Sequence, residues 1–237
     1  MATIGTRING ILYKIKIMIA KEIASDEILP LKITDTCTFG LNSMEENRVV
    51  HMPVVNEREL IGVVTEFDLI NHTDLNEPVG NVKLSLPHAF ISQDQHIFDV
   101  MKMMTELKLT LLPVVDERNL YIGVITLPAL VKYITMNASI LNPGGLIVLE
   151  VAENNYSMAE ISQIVESNNA RIIGAFFTTH PDSTLINITL KINDIDLNPV
   201  IQTFERYNYT IKATFAEKDD MDELKERYDA LMNYLSI

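Results

Sequence analysis

Thr65 and Asp68 place a hydroxyl and a carboxylate three positions apart, where a β-branched apolar run ends. At the start of a helix, two such side chains can each bind the other's backbone N–H group, as in a Ser/Thr-x-x-Glu capping box. Thr126 occupies the same place later in the chain, but Ala129 stands where the second carboxylate would be. The sequence therefore offers two hydroxyls and one carboxylate at matching positions.

No catalytic or metal-binding pattern accompanies these residues. Five histidines, at positions 51, 72, 88, 96 and 180, are never paired at a helical spacing with another ligand, so we predict neither a zinc site nor a Ser-His-Asp triad. Cys37 is the only cysteine, which excludes an intrachain disulfide and indicates a reducing compartment. We expect a cytoplasmic protein that is not an enzyme and that has no catalytic residue, no metal and no required cofactor.

The Thr65 and Thr126 segments belong to an internal repeat with an offset of about sixty residues. The run Pro53-Val-Val and the run Gly62-Val-Val-Thr recur as Pro113-Val-Val and Gly123-Val-Ile-Thr. Each copy predicts two strands joined by a polar turn, followed by a helix that begins at the threonine. The repeat thus positions Thr65 and Thr126 in equivalent structures.

Helices are also predicted upstream of each hairpin. The segment from Thr36 to Glu46 spaces its apolar residues as in a helix that faces a core. Its counterpart in the second copy carries Phe98, Met101 and Met104, and Asp94 is the candidate cap. Each copy is therefore one mixed α/β motif.

This order of elements resembles the CBS motif, and two such motifs in tandem resemble a Bateman module. The resemblance covers residues 18 to 137. In that family the Thr and Asp hold the phosphate and ribose of an adenosine-type ligand in the cleft between motifs, which assigns phosphate to Thr65 and ribose to Asp68. The resemblance also implies backbone contacts to adenine near Thr34, His51, Met52 and Pro53.

The physical chemistry of these groups agrees with this assignment. A helix N-terminus carries free N–H donors and a partial positive charge that suit a phosphate, and an ionised carboxylate binds both hydroxyls of a ribose. A plain capping pair explains Thr65 and Asp68 equally well. Because Ala129 replaces the carboxylate beside Thr126, we predict one competent site per pair of motifs.

A second domain is predicted after Asn142-Pro-Gly-Gly, where the chain can turn sharply. Residues 145–217 predict the order βαββαβ, a ferredoxin-like split unit. This unit resembles the ACT domain, a small regulatory fold that binds amino acids at dimer interfaces. Its first loop, Glu153-Asn-Asn-Tyr, lacks the glycine common in such sites, so an assembly module is an equal alternative.

We therefore predict a fold of the α/β and α+β classes. It comprises a tandem CBS pair at 18–141, an ACT-like domain at 145–217 and a C-terminal amphipathic helix at 218–237; residues 1–17 are an N-terminal extension outside the fold, either non-native or disordered. The combination resembles the acetoin utilisation protein B type of bacterial regulatory protein.

The resemblance implies a non-catalytic regulator that senses ATP, ADP, AMP or S-adenosylmethionine. It also implies a homodimer, a regulated partner enzyme and an amino acid as a second effector. The alternative is an interaction or oligomerisation module that binds no nucleotide. The formal charge of −13 argues against a nucleic acid partner, and no apolar run is long enough to predict a membrane span.

Overall fold

The computed structural model describes residues 5–8, 11–14, 17–137, 139–179 and 183–216. The chain divides into two compact units, Met1–Ile134 and Thr135–Ile237. Strands β1 (Gly5–Ile8) and β2 (Ile11–Lys14) pair as an antiparallel hairpin. That residues 1–17 are an extension outside the fold stays a prediction, and the predicted helix at 218–237 lies outside the described residues.

The first motif of unit 1 contains three strands and two helices: β3 (Leu31–Lys32), α1 (Cys37–Asn47), β4 (His51–Asn56), β5 (Glu59–Thr65) and α2 (Glu66–Ile70). Strand β4 pairs with β5 in an antiparallel hairpin and with β3 in parallel. The Thr36 hydroxyl caps α1 by accepting from the Phe39 N–H at 3.2 Å. The hairpin and the helix that follows it agree with the prediction.

The second motif repeats this order: β6 (Ile91–Ser92), α3 (Ile97–Glu106), β7 (Leu111–Val115), β8 (Tyr121–Thr126) and α4 (Leu127–Asn137). Helix α3 is capped by His96, whose Nδ1 accepts from the Phe98 N–H at 3.2 Å. The prediction of Asp94 as this cap was wrong. Asp94 lies in the turn after β6, so the helix begins two residues later than predicted. His96 is the last residue with an extended backbone before α3.

The segment that precedes each motif pairs with the hairpin of the other motif. Val63 N–H donates to Leu86 O at 3.0 Å, and Val124 N–H donates to Ser25 O at 2.9 Å. This close approach requires Gly123, whose φ is +152° and where an added Cβ would lie 2.7 Å from the Ser25 carbonyl oxygen. The two motifs are therefore interlocked.

The buried side chains of the two motifs mix as well. Leu111 and Val124 of the second motif pack with Met52 and Leu69 of the first. Val63 of the first motif packs in the other cluster, with residues of the second. Removing apolar area from water across this boundary stabilises both motifs together, so unit 1 is one structure.

Unit 2 has the order βαββαβ. Its elements are β9 (Gly145–Ala152), α5 (Met158–Ser167), β10 (Ile172–Thr179), β11 (Leu185–Ile192), α6 (Asn198–Arg206) and β12 (Thr210–Ala216). The sheet order is β10-β11-β9-β12, and all neighbours are antiparallel. Inward residues of the central strands, such as Ile147 and Ile188, pack against Phe204 of α6. This is the ferredoxin-like arrangement; that unit 2 is an ACT domain stays a prediction.

In the described part of the chain, none of the helices combines the length and the apolar character that a membrane span needs.

Candidate functional site

Thr65 and Asp68 form a complete capping box at the start of α2. The Asp68 N–H donates to Thr65 Oγ1 at 3.0 Å, and the Thr65 N–H donates to Asp68 Oδ2 at 3.0 Å. These bonds satisfy two backbone donors that the helix itself leaves without partners. The capping alternative is thus present in the structure, and the ribose role of Asp68 stays a prediction.

Ser85 also binds the Asp68 carboxylate. Its hydroxyl donates to Oδ1 through a short hydrogen bond, and its backbone N–H donates to Oδ2 at 3.2 Å. Burial raises the pKa of Asp68, but the hydrogen bonds from Ser85 and Thr65 outweigh it and hold the pKa below its ordinary value. Asp68 is ionised at neutral pH, and both its oxygens already accept hydrogen bonds.

His51 lies at the boundary between the motifs, where β4 of one sheet approaches β7 of the other. It is buried, and its Nδ1 accepts from the Thr110 N–H at 3.3 Å and lies 3.1 Å from Thr110 Oγ1. Burial lowers the pKa of His51, while the negative charge of Asp68 opposes this shift. The imidazole is therefore held neutral, with its proton on Nε2.

Thr126 begins α4 as Thr65 begins α2. Its hydroxyl accepts from the Ala129 N–H at 3.3 Å, and the Leu127 N–H donates to Thr110 O at 3.1 Å. The residue between them is Pro128, which has no N–H. The first three residues of α4 therefore offer a phosphate no free N–H group, since Leu127 and Ala129 already donate theirs and Pro128 has none.

A cavity of about 600 Å³ opens beside Thr126. The first motif contributes Ser25, Glu27, Ile28, Glu46, Asn47, Arg48 and Val49; the second contributes Thr110, Val124, Thr126, Leu127, Pro128 and Ala129. Arg48 follows the last residue of α1 and has a left-handed backbone, with φ 54°. The cavity therefore combines apolar walls, one cation, two carboxylates and several hydroxyls.

The predicted site residues do not all come together. His51 is paired with Thr65 across the β4–β5 hairpin, close to Asp68. Thr126 lines the cavity described above, whose lining includes none of His51, Thr65 and Asp68. Thr34 follows β3, and β3 pairs with the end of β4 that is remote from His51. Because a strand rises about 3.3 Å per residue, Thr34 lies roughly 10 Å or more from His51.

Met52 and Pro53 are buried as whole residues, and the exposed fraction of Met52 is 0%, so its backbone offers no open surface to a ligand. Sequence reasoning missed Arg48, Thr110 and Ser85. Thr110 and Arg48 lie just before and just after the predicted elements, where neither apolar periodicity nor a capping pattern marks a residue. The repeat offered one signal: Arg48 and Lys108 are both basic and both follow the helix of their motif.

The described side chains form no group of three or more His, Cys, Asp or Glu residues that could hold a metal ion.

The family model of the CBS domain matches this chain twice, at residues 20–74 and 79–135. These matches coincide with the two motifs of unit 1. The chain therefore carries a tandem pair of CBS domains.

Known proteins resemble this chain over about half its length. The inosine-5'-monophosphate dehydrogenase of Methanocaldococcus jannaschii is 28% identical over 114 residues, which are 48% of this chain and 23% of that enzyme. The chain spans between 22% and 57% of the length of the first curated relatives that it matches.

Solved structures of CBS proteins match as well, among them two examples. A CBS domain pair/ACT domain protein from Thermotoga maritima is 25% identical, with a TM-score of 0.46, over 50% of this chain and 98% of that one. The CBS domain of a bacterial CNNM/CorC family Mg2+ transporter, solved in complex with ATP, is 23% identical, with a TM-score of 0.41, over 50% of this chain and 87% of that one.

Proposed function

We propose that this chain is a non-catalytic regulatory protein that senses an adenosine-containing ligand in the cavity between its two CBS motifs. The observation that carries the proposal is the cavity beside Thr126, of about 600 Å³ and lined by residues of both motifs. Small-molecule sites typically have volumes of about 300–1,000 Å³. A ligand that binds one conformation better than another then shifts the equilibrium between them.

The lining of the cavity suits a nucleotide. Ile28 and Val124 offer apolar surface to a purine ring. Because the first N–H groups of α4 are unavailable, the guanidinium of Arg48 and the hydroxyl of Thr126 are the donors for a phosphate. Glu27 and Glu46 supply carboxylates for ribose hydroxyls in the cleft where Ala129 stands.

The region around Thr65 and Asp68, which the sequence marks for a ligand, is the second candidate location. There a ribose would have to compete with Ser85, which already binds both oxygens of the carboxylate. A ligand in the cavity at Thr126 does not have to compete with Ser85. We therefore propose that the ligand binds in the cavity at Thr126. A substitution of Asp68 tests whether it binds at Asp68 instead.

Binding is tested by thermal shift and calorimetric titration with ATP, ADP, AMP, NAD and S-adenosylmethionine, all of which contain an adenosine group. Arg48→Asn removes the cation but keeps a residue type that tolerates left-handed backbone; we expect the affinity for a phosphorylated ligand to fall roughly tenfold or more. Lys83→Asn, which removes an exposed cation outside the cavity, is the matched control.

Two outcomes would contradict this proposal. If none of the five compounds shifts the melting temperature, the alternative of an interaction module without nucleotide is favoured. If Arg48→Asn binds normally while Asp68→Asn does not, the ligand binds at Asp68 instead of in the cavity beside Thr126.

The match to the dehydrogenase lies in its CBS region alone, so it gives no ground for dehydrogenase activity here. A regulated partner enzyme and a cytoplasmic location stay predictions.

For unit 2 we make a separate proposal: its ACT-like fold binds either an amino acid or a second copy of this chain. A pocket of about 360 Å³ lies on unit 2. Its lining includes Asn155, from the loop after β9, together with Glu150 and Glu160. Both carboxylates are engaged: Lys212 lies 2.8 Å from Glu150, and the Tyr209 hydroxyl donates to Glu160 at 2.6 Å. Thermal shift with the twenty amino acids separates an effector site from an assembly module.

A further inference from the structure

Within the residues that the structure describes, both helices of unit 2 pack on the same face of its sheet. Inward residues such as Ile147 and Ile188 contact the cluster that contains Ile161 of α5 and Phe204 of α6. Successive residues of a strand point to opposite faces, and directly paired residues point to the same face. The strand register therefore defines the opposite face, here called the open face, which carries Leu146, Val148, Phe176, Thr189, Lys191 and Phe215.

Apolar side chains extend across all four strands of the open face. Leu146 is paired with Phe215, and Thr189 is paired with both Val148 and Phe176. The exposed fraction is 52% for Phe176 and 58% for Phe215. Single exposed apolar residues are ordinary, but contiguous apolar surface marks a site of contact with another element or molecule. The open face is thus a candidate docking surface.

The open face also carries a buried cation. The exposed fraction of Lys191 is 9%, although this lysine points away from the face that α5 and α6 cover. Its directly paired neighbours, Leu146 and Gly174, carry no charge. A lysine is rarely this buried unless its ammonium group is paired with a negative charge. The open face therefore suits an occupant that offers both apolar side chains and carboxylates.

The sequence that follows β12 offers both kinds of group. Its apolar residues recur at alternating steps of three and four, the pattern of an amphipathic helix with a narrow apolar stripe: Met221, Leu224, Tyr228, Leu231 and Leu235. Residues 217–237 carry seven side-chain carboxylates against three cations. Four of these carboxylates come before or within the first predicted turn: Asp219, Asp220, Asp222 and Glu223. This segment lies outside the described residues, and its sequence matches the needs of the open face.

We propose that residues 219–235 form a helix that covers the open face of the same chain, with the apolar stripe on Leu146, Val148 and Phe176 and the acidic first turn beside Lys191. The position of β12 supports this arrangement. It is an edge strand and ends at Ala216, one residue beyond the row of Phe215, Leu146 and Lys191. The acidic residues therefore follow within a few positions of that row.

The length of the segment fits the sheet. A helix rises about 1.5 Å per residue, so the stripe from Met221 to Leu235 is about 21 Å long. Four strands that lie about 4.8 Å apart make a sheet about 14 Å wide. The helix can therefore cross all four strands. While it is bound, the open face is closed to other molecules, and assembly through unit 2 is restricted to the edge strands β10 and β12.

Thiol labelling of the full-length chain tests whether the open face is covered. The only natural cysteine, Cys37, has an exposed fraction of 0%, so a cysteine introduced by Thr189→Cys reports on the open face. Leu231→Glu places a charge in the apolar stripe, and we expect it to raise the rate at which a maleimide modifies this cysteine by roughly tenfold or more. Ala230→Glu is the matched control, because it adds the same charge on the opposite side of the predicted helix and should leave the rate unchanged. Ala170→Cys, in the core beneath the helices, should stay protected in every background if unit 2 remains folded.

Cross-linking identifies the occupant. In the double variant Thr189→Cys, Leu224→Cys, a flexible bifunctional maleimide should join the two thiols within one chain, with a yield that does not depend on protein concentration. Ala230→Cys in place of Leu224→Cys is the control and should cross-link less. A product that joins two chains would assign the open face to a second copy and overturn the proposal. A labelling rate at Thr189→Cys that Leu231→Glu leaves unchanged would also overturn it.

Discussion

Ser85 binds both oxygens of Asp68, with its hydroxyl on Oδ1 and its backbone N–H on Oδ2 at 3.2 Å. Asp68 lies in the first helix turn after β5, whereas Ser85 precedes the second motif. The Asp68 carboxylate therefore has two structural roles: it completes the cap of α2, and it holds the segment between the motifs.

Replacing Asp68 with Asn should destabilise unit 1 by about 1–2 kcal/mol, the usual cost of losing a helix cap and a charge-assisted hydrogen bond. Urea unfolding measures the loss. Ser85→Ala and the double variant complete a cycle, in which we expect a coupling free energy of about 1 kcal/mol between the two side chains. Additive losses would show that the Ser85–Asp68 contact contributes nothing to stability.

The contribution of Asp68 should depend on pH. Its pKa in the folded chain is lowered, so its stabilisation is fully present above the pKa of the unfolded chain, about 3.9, and is lost as pH falls through the folded value. The difference in unfolding free energy between wild type and Asp68→Asn should be constant from pH 7 to about 5 and shrink below about pH 4. A difference that grows with acid contradicts this assignment.

His51 should titrate at lower pH than a free histidine. Because burial lowers its folded pKa, its stabilisation is complete above the unfolded value of about 6.5 and declines as pH falls toward the folded value. NMR titration of the His51 ring protons measures the pKa directly. His51→Asn keeps an acceptor near the Nδ1 position, and this variant should lose less stability than wild type between about pH 6.5 and 5. An imidazole that titrates at or above its ordinary pKa would contradict the buried, neutral state.

Gly123→Ala should weaken both the fold and the cavity wall. The new Cβ would lie 2.7 Å from the Ser25 carbonyl oxygen, at a φ of +152°. We expect a cost of about 1–3 kcal/mol in unfolding free energy, together with weaker ligand binding because Ser25 lines the cavity. Ser25→Ala keeps this backbone contact and removes only the hydroxyl that accepts from the Glu27 N–H at 3.1 Å, so it should cost less unfolding free energy than Gly123→Ala. Equal stability of the two variants would show that the close approach is not required.

The repeat made the hairpins and their helices predictable, because Pro-Val-Val and Gly-Val-Val-Thr each constrain a strand and its end. The order βαββαβ followed in the same way from alternating apolar residues such as Ile186 and Ile188. The capping threonines were also predictable, since a cap depends on residues three positions apart.

The cavity was not predictable from the same signals. Thr110 and Arg48 belong to different motifs. They line one cavity because the segment that precedes each motif pairs with the hairpin of the other. Ser85 reaches Asp68 from a segment with no periodicity at all. The sequence pointed to the cleft with the carboxylate, but the structure shows that this carboxylate already has partners.

The most direct test of the proposed function is calorimetric titration of the full-length chain with ATP and AMP, compared across wild type, Arg48→Asn and Asp68→Asn. The proposed site predicts saturable binding to wild type, binding at least roughly tenfold weaker for Arg48→Asn, and nearly unchanged binding for Asp68→Asn. Binding that survives Arg48→Asn and disappears in Asp68→Asn, or no binding to wild type, would contradict it.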